Sequence, residues 1–132
     1  MKRILLDTHA FIWALENPAL LSPEARELIE TKENRIFISQ ISFYEIAIKQ
    51  TLNKIALSVD LATLYEETSA LNFEMLPLQN EHIIACTQLP LLPDHRDPFD
   101  RLLIATASYE NLEIISSDQK FTLYPEWVNV IF

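Results

Sequence analysis

Short, largely apolar runs alternate along this chain with longer stretches of helical periodicity. Residues 3–6, Ile36-Phe37-Ile38, residues 73–76, Ile114-Ile115 and residues 128–131 read as strands. Continuous apolarity, rather than strict alternation, fits strands buried on both faces. Between them lie predicted helices over residues 8–15, 41–52, 61–71, 80–88 and 98–109. One more opens at Ser22-Pro23, where Ala25, Leu28 and Ile29 form an i, i+3, i+4 stripe. The boundaries carry their own signals. Ser22 is placed as an N-cap with Pro23 in the first turn. Asn17-Pro18 stops the first helix, and Asn53 suits a left-handed cap.

Strands interleaved with helices predict an α/β fold. The expected architecture is a three-layer α/β/α sandwich around a central, mostly parallel sheet of about five strands. At 132 residues the chain is read as a single domain spanning residues 1–132. In sheets of this kind the functional crevice lies outside the carboxyl ends of the strands.

Acidic residues stand at those ends. Asp7 follows Ile4-Leu5-Leu6, Glu45 comes shortly after the second strand, Asp100 lies inside HRDPFDRLLIATA, and Asp118 follows Ile114-Ile115-Ser116-Ser117. Each has a local explanation. Asp7 can cap the helix that begins near Thr8, and Ser42 to Glu45 matches a capping box. Asp97-Pro98-Phe99-Asp100 reads as cap, first-turn proline and first-turn acid. Asp118 can cap a turn through Phe121. As a set the four acids imply more. Carboxylates crowded on one edge repel one another unless a hard cation sits between them. Mg²⁺ or Mn²⁺ takes oxygen ligands and can make water nucleophilic beside a phosphate. Asp97 is assigned mainly to capping and Asp100 to the metal. Thr8 and Ser117 are supporting candidates, able to hydrogen-bond a carboxylate or cap the backbone.

Composition narrows the choice. The net charge of −9 argues against a general nucleic-acid binder. Part of it falls on Glu24, Glu27, Glu30 and Glu33, read as a solvated helix face, and part on the proposed metal site. The chain has no glycine, which excludes a P-loop and a dinucleotide fingerprint. Turns must use Asn, Asp and Pro, as at Asn17-Pro18, Asn53 and Asn111. His9, His82 and His95 form no zinc spacing, and no histidine is suitably placed as a base. Cys86, the lone cysteine, reads as a buried core residue and fits a reducing cytoplasm. Trp13, Phe43, Tyr44 and Phe99 are read as core or interface aromatics. No membrane span is expected, and Asp7 and His9 interrupt the N-terminal apolar stretch that would otherwise suggest a signal peptide. Arg96, Arg101, Lys49, Lys54 and Lys120 lie near the acidic segments and are candidates for phosphate contacts or plain surface ion pairs.

The segments LLDTHAFIWAL, ISFYEIAIK, HRDPFDRLLIATA and IISSDQKF, in that order and with LSPEARELIE between the first two, resemble PIN-domain ribonucleases. The resemblance is specifically to VapC-type toxins of type II toxin–antitoxin systems, and it covers essentially the whole chain. It implies Mg²⁺- or Mn²⁺-dependent endonucleolytic RNA cleavage, with Asp7, Glu45, Asp100 and Asp118 as the acidic metal-binding quartet. It also implies a homodimer and a small VapB-like antitoxin that occludes the acidic pocket. Relatives commonly carry Gly-Lys-Leu where this chain has Asn53-Lys54-Ile55; Asn can take the same left-handed conformation. Two other readings differ in class. One is a non-catalytic PIN-like binding module that acts through its partner. The other is an acidic-pocket phosphatase or receiver domain, for which the nucleophile motif and the late-strand lysine are missing.

Overall fold

The computed structural model describes residues 1–132. Five strands, β1 (Arg3–Leu6), β2 (Arg35–Ser39), β3 (Glu74–Leu76), β4 (Glu113–Ile115) and β5 (Val130–Ile131), form one sheet in the order β3-β2-β1-β4-β5. Every pairing is parallel. Six α-helices connect them: α1 (Thr8–Glu16), α2 (Pro23–Glu30), α3 (Gln40–Thr51), α4 (Leu61–Ala70), α5 (Asn80–Cys86) and α6 (Pro98–Glu110). Short 3₁₀ turns at Pro18–Leu20 and Gln119–Leu123 complete the set.

The α/β/α reading therefore holds, and strand pleating builds the layers. Ile4, Leu6, Ile36 and Ile38 point into one core with Phe11 of α1, Ala25 of α2, Phe43 and Ile46 of α3, and Leu64 of α4. Leu5, Phe37, Leu76 and Ile114 point the other way, against Leu103, Ile104 and Ala107 of α6 and the buried rings of Phe121 and Tyr124. Both faces are covered, so the strands carry no polar alternation.

Most boundaries match expectation within a residue or two. Residues 73–76 and 128–131 shorten to Glu74–Leu76 and Val130–Ile131, the two edge strands. Residues 80–88 end as helix at Cys86. Other differences are chemical. Cys86 is half-buried rather than a core residue. Phe43 is buried, yet Tyr44 is 60% exposed and meets Phe99 edge-on at 6.1 Å. Glu24, Glu27, Glu30 and Glu33 are all exposed, but only the first three lie on α2; Glu33 falls in the turn after it.

The lack of glycine is met by asparagine. Asn53, Asn72 and Asn111 are the residues with positive φ, at 55°, 61° and 56°. At Asn111 the following Leu112 N–H donates to the Ala107 carbonyl at 2.8 Å, which closes the last turn of α6 and aims the chain into β4. Left-handed backbone disfavours residues with a Cβ, and asparagine tolerates it better than alanine. Asn111→Ala is therefore expected to lower unfolding free energy by about 1 kcal/mol, whereas Asn111→Gly leaves it equal or higher. Urea titrations of the two variants beside the unmodified protein check this.

Candidate active site

The strand order sets the position of the site. The chain leaves β1, builds β2 and β3 outward on one side, then returns to place β4 against the other side of β1. The connections diverge between β1 and β4 and leave a crevice at their carboxyl ends. Asp7 follows β1, and Ser116 to Asp118 follow β4, so they meet across that crevice. The Asp7 N–H donates to the Ile115 carbonyl at 3.1 Å and fixes the register. Helices α1 and α3 begin directly after β1 and β2, and α6 begins at the same edge. Their positive N-terminal ends favour negative charge there.

A cleft of about 90 Å³ opens at this point, lined by Asp7, Thr8, Glu45, Asp97, Asp100 and Asp118 together with His9, Lys49, Ser117 and Phe121. The four predicted acids are thus brought to one cleft, with Asp97, Thr8, Ser117 and Lys49 beside them. Room for roughly three waters suits a hydrated cation better than a nucleobase. A far larger cavity, about 630 Å³, lies at the amino end of β2 between the ends of α2 and α4. It gathers no set of acids.

Each carboxylate is held by its own partners. Asp7 is buried; its Oδ1 accepts from the Ala10 N–H at 2.7 Å, the cap read from sequence. Its Oδ2 accepts from the Ser116 hydroxyl at 2.5 Å. The same Ser116 oxygen accepts the Asp118 N–H at 3.0 Å, so one serine ties two acids together. Asp118 caps its turn through the Lys120 N–H at 2.9 Å. Asp97 accepts from the Asp100 N–H at 2.9 Å, a cap as assigned.

The Ser42–Glu45 capping box is not formed. Ser39 caps α3, because the helix begins at Gln40, and Ser42 already lies in its first turn. Glu45 instead accepts from the Thr8 hydroxyl at 2.6 Å and from the Lys49 ammonium at 2.6 Å, one on each oxygen. Ser42 lies 3.0 Å from the Thr8 hydroxyl and completes this buried link between α1 and α3.

Burial and like charge act on the acids. Burial raises the Asp7 carboxyl above its ordinary value, opposed by its hydrogen bonds to Ser116 and Ala10. Asp100 is pushed up to about 7, first by burial, then by repulsion from Asp97, Glu45, Asp7 and Asp118. No set of three His, Cys, Asp or Glu side chains closes around a single point, so the acids line the cleft rather than form a cage. The donor set is hard oxygen, which fits Mg²⁺ or Mn²⁺, ions that keep several waters and need only one or two carboxylates.

Several positions at and around the cleft escaped the sequence reading. Ser116 and Ser42 have no motif that marks them; only the β1–β4 register and the helix start reveal them. His9 is exposed and lines the cleft, so an imidazole does stand at its mouth. His95 is buried beside Asp100, with Nε2 3.3 Å from Oδ2. Burial holds its imidazole below the ordinary value. His82 spends Nδ1 on the Gln79 N–H and Nε2 on Glu110, and so belongs to the α5–α6 packing. Arg96 is exposed outside the cleft lining. Arg101 binds the Pro90 carbonyl at 2.7 Å and the Leu89 carbonyl at 3.5 Å.

An all-parallel α/β sheet with carboxylates gathered at its switch point defines the class. The chain belongs to the PIN domain family, whose model matches residues 4–126. No curated protein matches the sequence. Solved structures share the fold. A chain of VapBC2 from Rickettsia felis, bound to a promoter DNA fragment, is similar with TM-score 0.68 and 17% identity, covering 98% of this chain and 97% of that one. A chain of FitAcB from Neisseria gonorrhoeae gives 0.68 and 18%, covering 98% and 96%. A chain of VapBC-5, a VapBC toxin–antitoxin family member from Mycobacterium tuberculosis, gives 0.59 and 19%, covering 99% and 97%.

The Asp100 environment has a measurable consequence. Its carboxyl binds a proton more tightly folded than unfolded, so its contribution to stability falls as pH rises from about 4 to about 7. In EDTA, Asp100→Asn should exceed the unmodified protein in stability at pH 7.5 by on the order of a few kcal/mol. The difference should shrink to nothing below about pH 4, where the Asp100 carboxyl takes up its proton in the unfolded chain as well. Urea denaturation across that range measures it, and parallel curves would contradict it.

Proposed function

We propose that this protein is a Mg²⁺- or Mn²⁺-dependent endoribonuclease, acting as the VapC-like toxin of a type II toxin–antitoxin pair. The observation that carries the reading is the cleft at the β1–β4 switch point, lined by Asp7, Glu45, Asp100 and Asp118. Membership of the PIN domain family supports nuclease chemistry at the level of the family. The VapBC complexes among the fold's neighbours support a VapB-like antitoxin as partner. The whole chain, residues 1–132, is read as one PIN unit that works as a homodimer in the cytoplasm. No helix is long and apolar enough to cross a membrane.

In this reading Asp7 and Asp100 are the principal ligands of the divalent cation, and Glu45 and Asp118 complete the site directly or through water. When bound, such a cation lowers the pKa of water and offsets charge on the scissile phosphate. The remaining work belongs to the chain. Ser116 fixes the Asp7 rotamer and the Asp118 backbone together. Thr8 holds Glu45 Oε1, which leaves Oε2 with Lys49. The Lys49 ammonium pairs with Glu45 at the cleft and is a candidate to contact a substrate phosphate. Arg96 is free to meet the RNA backbone. Arg101 is the weaker candidate, since its guanidinium is spent on loop carbonyls. Asp97 and Ser117 remain supporting groups at the rim.

A non-catalytic binding module is the second reading, favoured by one observation: no three ligating side chains close on a point. Incubation of the purified protein with total cellular RNA separates the two. Cleavage is expected with Mg²⁺ and none with EDTA, and Asp7→Asn should reduce the rate at least a hundredfold. Mg²⁺-independent cleavage, or full activity in Asp7→Asn, would refute the assignment, and tight partner binding without cleavage would establish the second reading. Lys49→Ala should slow cleavage by roughly tenfold, about 1.4 kcal/mol of transition-state stabilisation, with the fold retained by circular dichroism.

A further inference from the structure

A hydrogen-bond chain of Arg101, Tyr124 and His95 stands behind Asp100. Arg101 is anchored on the Pro90 carbonyl and is an obligate donor; its Nη1 reaches the Tyr124 hydroxyl at 3.5 Å. That oxygen therefore accepts from Arg101, and its own proton is free to go to His95 Nδ1, 2.8 Å away. With Nδ1 accepting, the proton of a neutral imidazole must sit on Nε2. Nε2–H then donates to Asp100 Oδ2 at 3.3 Å. Neither ring can turn away. Tyr124 is fully buried and His95 is 3% exposed. The imidazole packs against the Phe121 and Tyr124 rings at 5.9 and 5.5 Å, and the His95 backbone bridges to Leu92.

We propose that His95, oriented by Tyr124 and Arg101, is a positioning residue that holds the Asp100 carboxylate facing the cation in the cleft. This rests on the divalent-metal reading of the cleft. The hydrogen bond on Oδ2 fixes the carboxylate plane and leaves Oδ1 for the ion. Without it, Asp100 would be free to rotate away from Asp7, Glu45 and Asp118, which repel it. Partners of this kind, one shell behind a ligand, typically change metal affinity ten- to a hundredfold.

Two measurements on the full chain test this. In the metal-free protein, ¹⁵N shifts of the His95 ring report the tautomer, and the proton is expected on Nε2. Mn²⁺ titration followed by electron paramagnetic resonance reports affinity without reference to catalysis. His95→Ala should weaken Mn²⁺ binding about tenfold or more. His95→Gln, whose amide N–H can reach the same carboxylate oxygen, should stay within about threefold of the unmodified protein. Tyr124→Phe keeps the packing and removes only the hydroxyl, so it carries the test if His95→Ala does not fold; it should weaken binding and mix the tautomers. A proton on Nδ1, or unchanged Mn²⁺ affinity in His95→Ala or Tyr124→Phe, would overturn the proposal. If the unmodified protein binds no Mn²⁺, the metal reading of the cleft fails and positioning toward a cation fails with it. The tautomer still shows whether the tether to Asp100 exists.

Discussion

Repulsion among carboxylates at the carboxyl edge of the sheet is the constraint on which the rest of this structure depends. Acids with no partner beyond water would spread apart or take up protons. Here Asp7 is held by Ser116 and the Ala10 N–H, Glu45 by Thr8 and Lys49, and Asp118 by the Lys120 N–H, while the Asp100 carboxylate meets only His95, at 3.3 Å. The result is a cleft that stores unfavourable charge, most of it felt at Asp100. A divalent cation removes that penalty, and this links the stability of the protein to the function proposed for it. Part of the excess of acid over base is this cleft.

The scaffold makes the crowding achievable. A parallel sheet delivers every strand's carboxyl end to one edge, and the return of the chain to β4 opens the crevice beside β1. Helices α1, α3 and α6 start at that edge, and their dipoles offset part of the negative charge. Small polar side chains then do the fine positioning. Ser116 joins Asp7 to Asp118, Thr8 joins α1 to Glu45, and the His95–Tyr124–Arg101 chain stands behind Asp100.

Much of this was legible in the sequence because apolar runs and caps are local signals. Ile36-Phe37-Ile38 could only be a buried strand, and Ser22-Pro23 and Asp97-Pro98 marked helix starts that the structure bears out. The strand-end acids followed from the same segmentation. What stayed hidden depends on register and on long-range contact. Ser116 rather than Ser117 faces Asp7 because of how β4 pairs with β1, which no local pattern reports. Glu45 looked like the end of a capping box, yet the N-cap of α3 is Ser39, three residues before Ser42, and the carboxylate meets Thr8 and Lys49 instead. His95 and Tyr124 are 29 positions apart, a contact that no local pattern reports.

The central claim is that this cleft is built for a divalent cation. Anomalous diffraction from crystals grown with Mn²⁺ at pH 7.5 addresses it most directly. The account predicts a manganese peak in the cleft, bounded by Asp7 and Asp100. Well-diffracting crystals with no peak there, or with manganese bound only elsewhere on the surface, would contradict it.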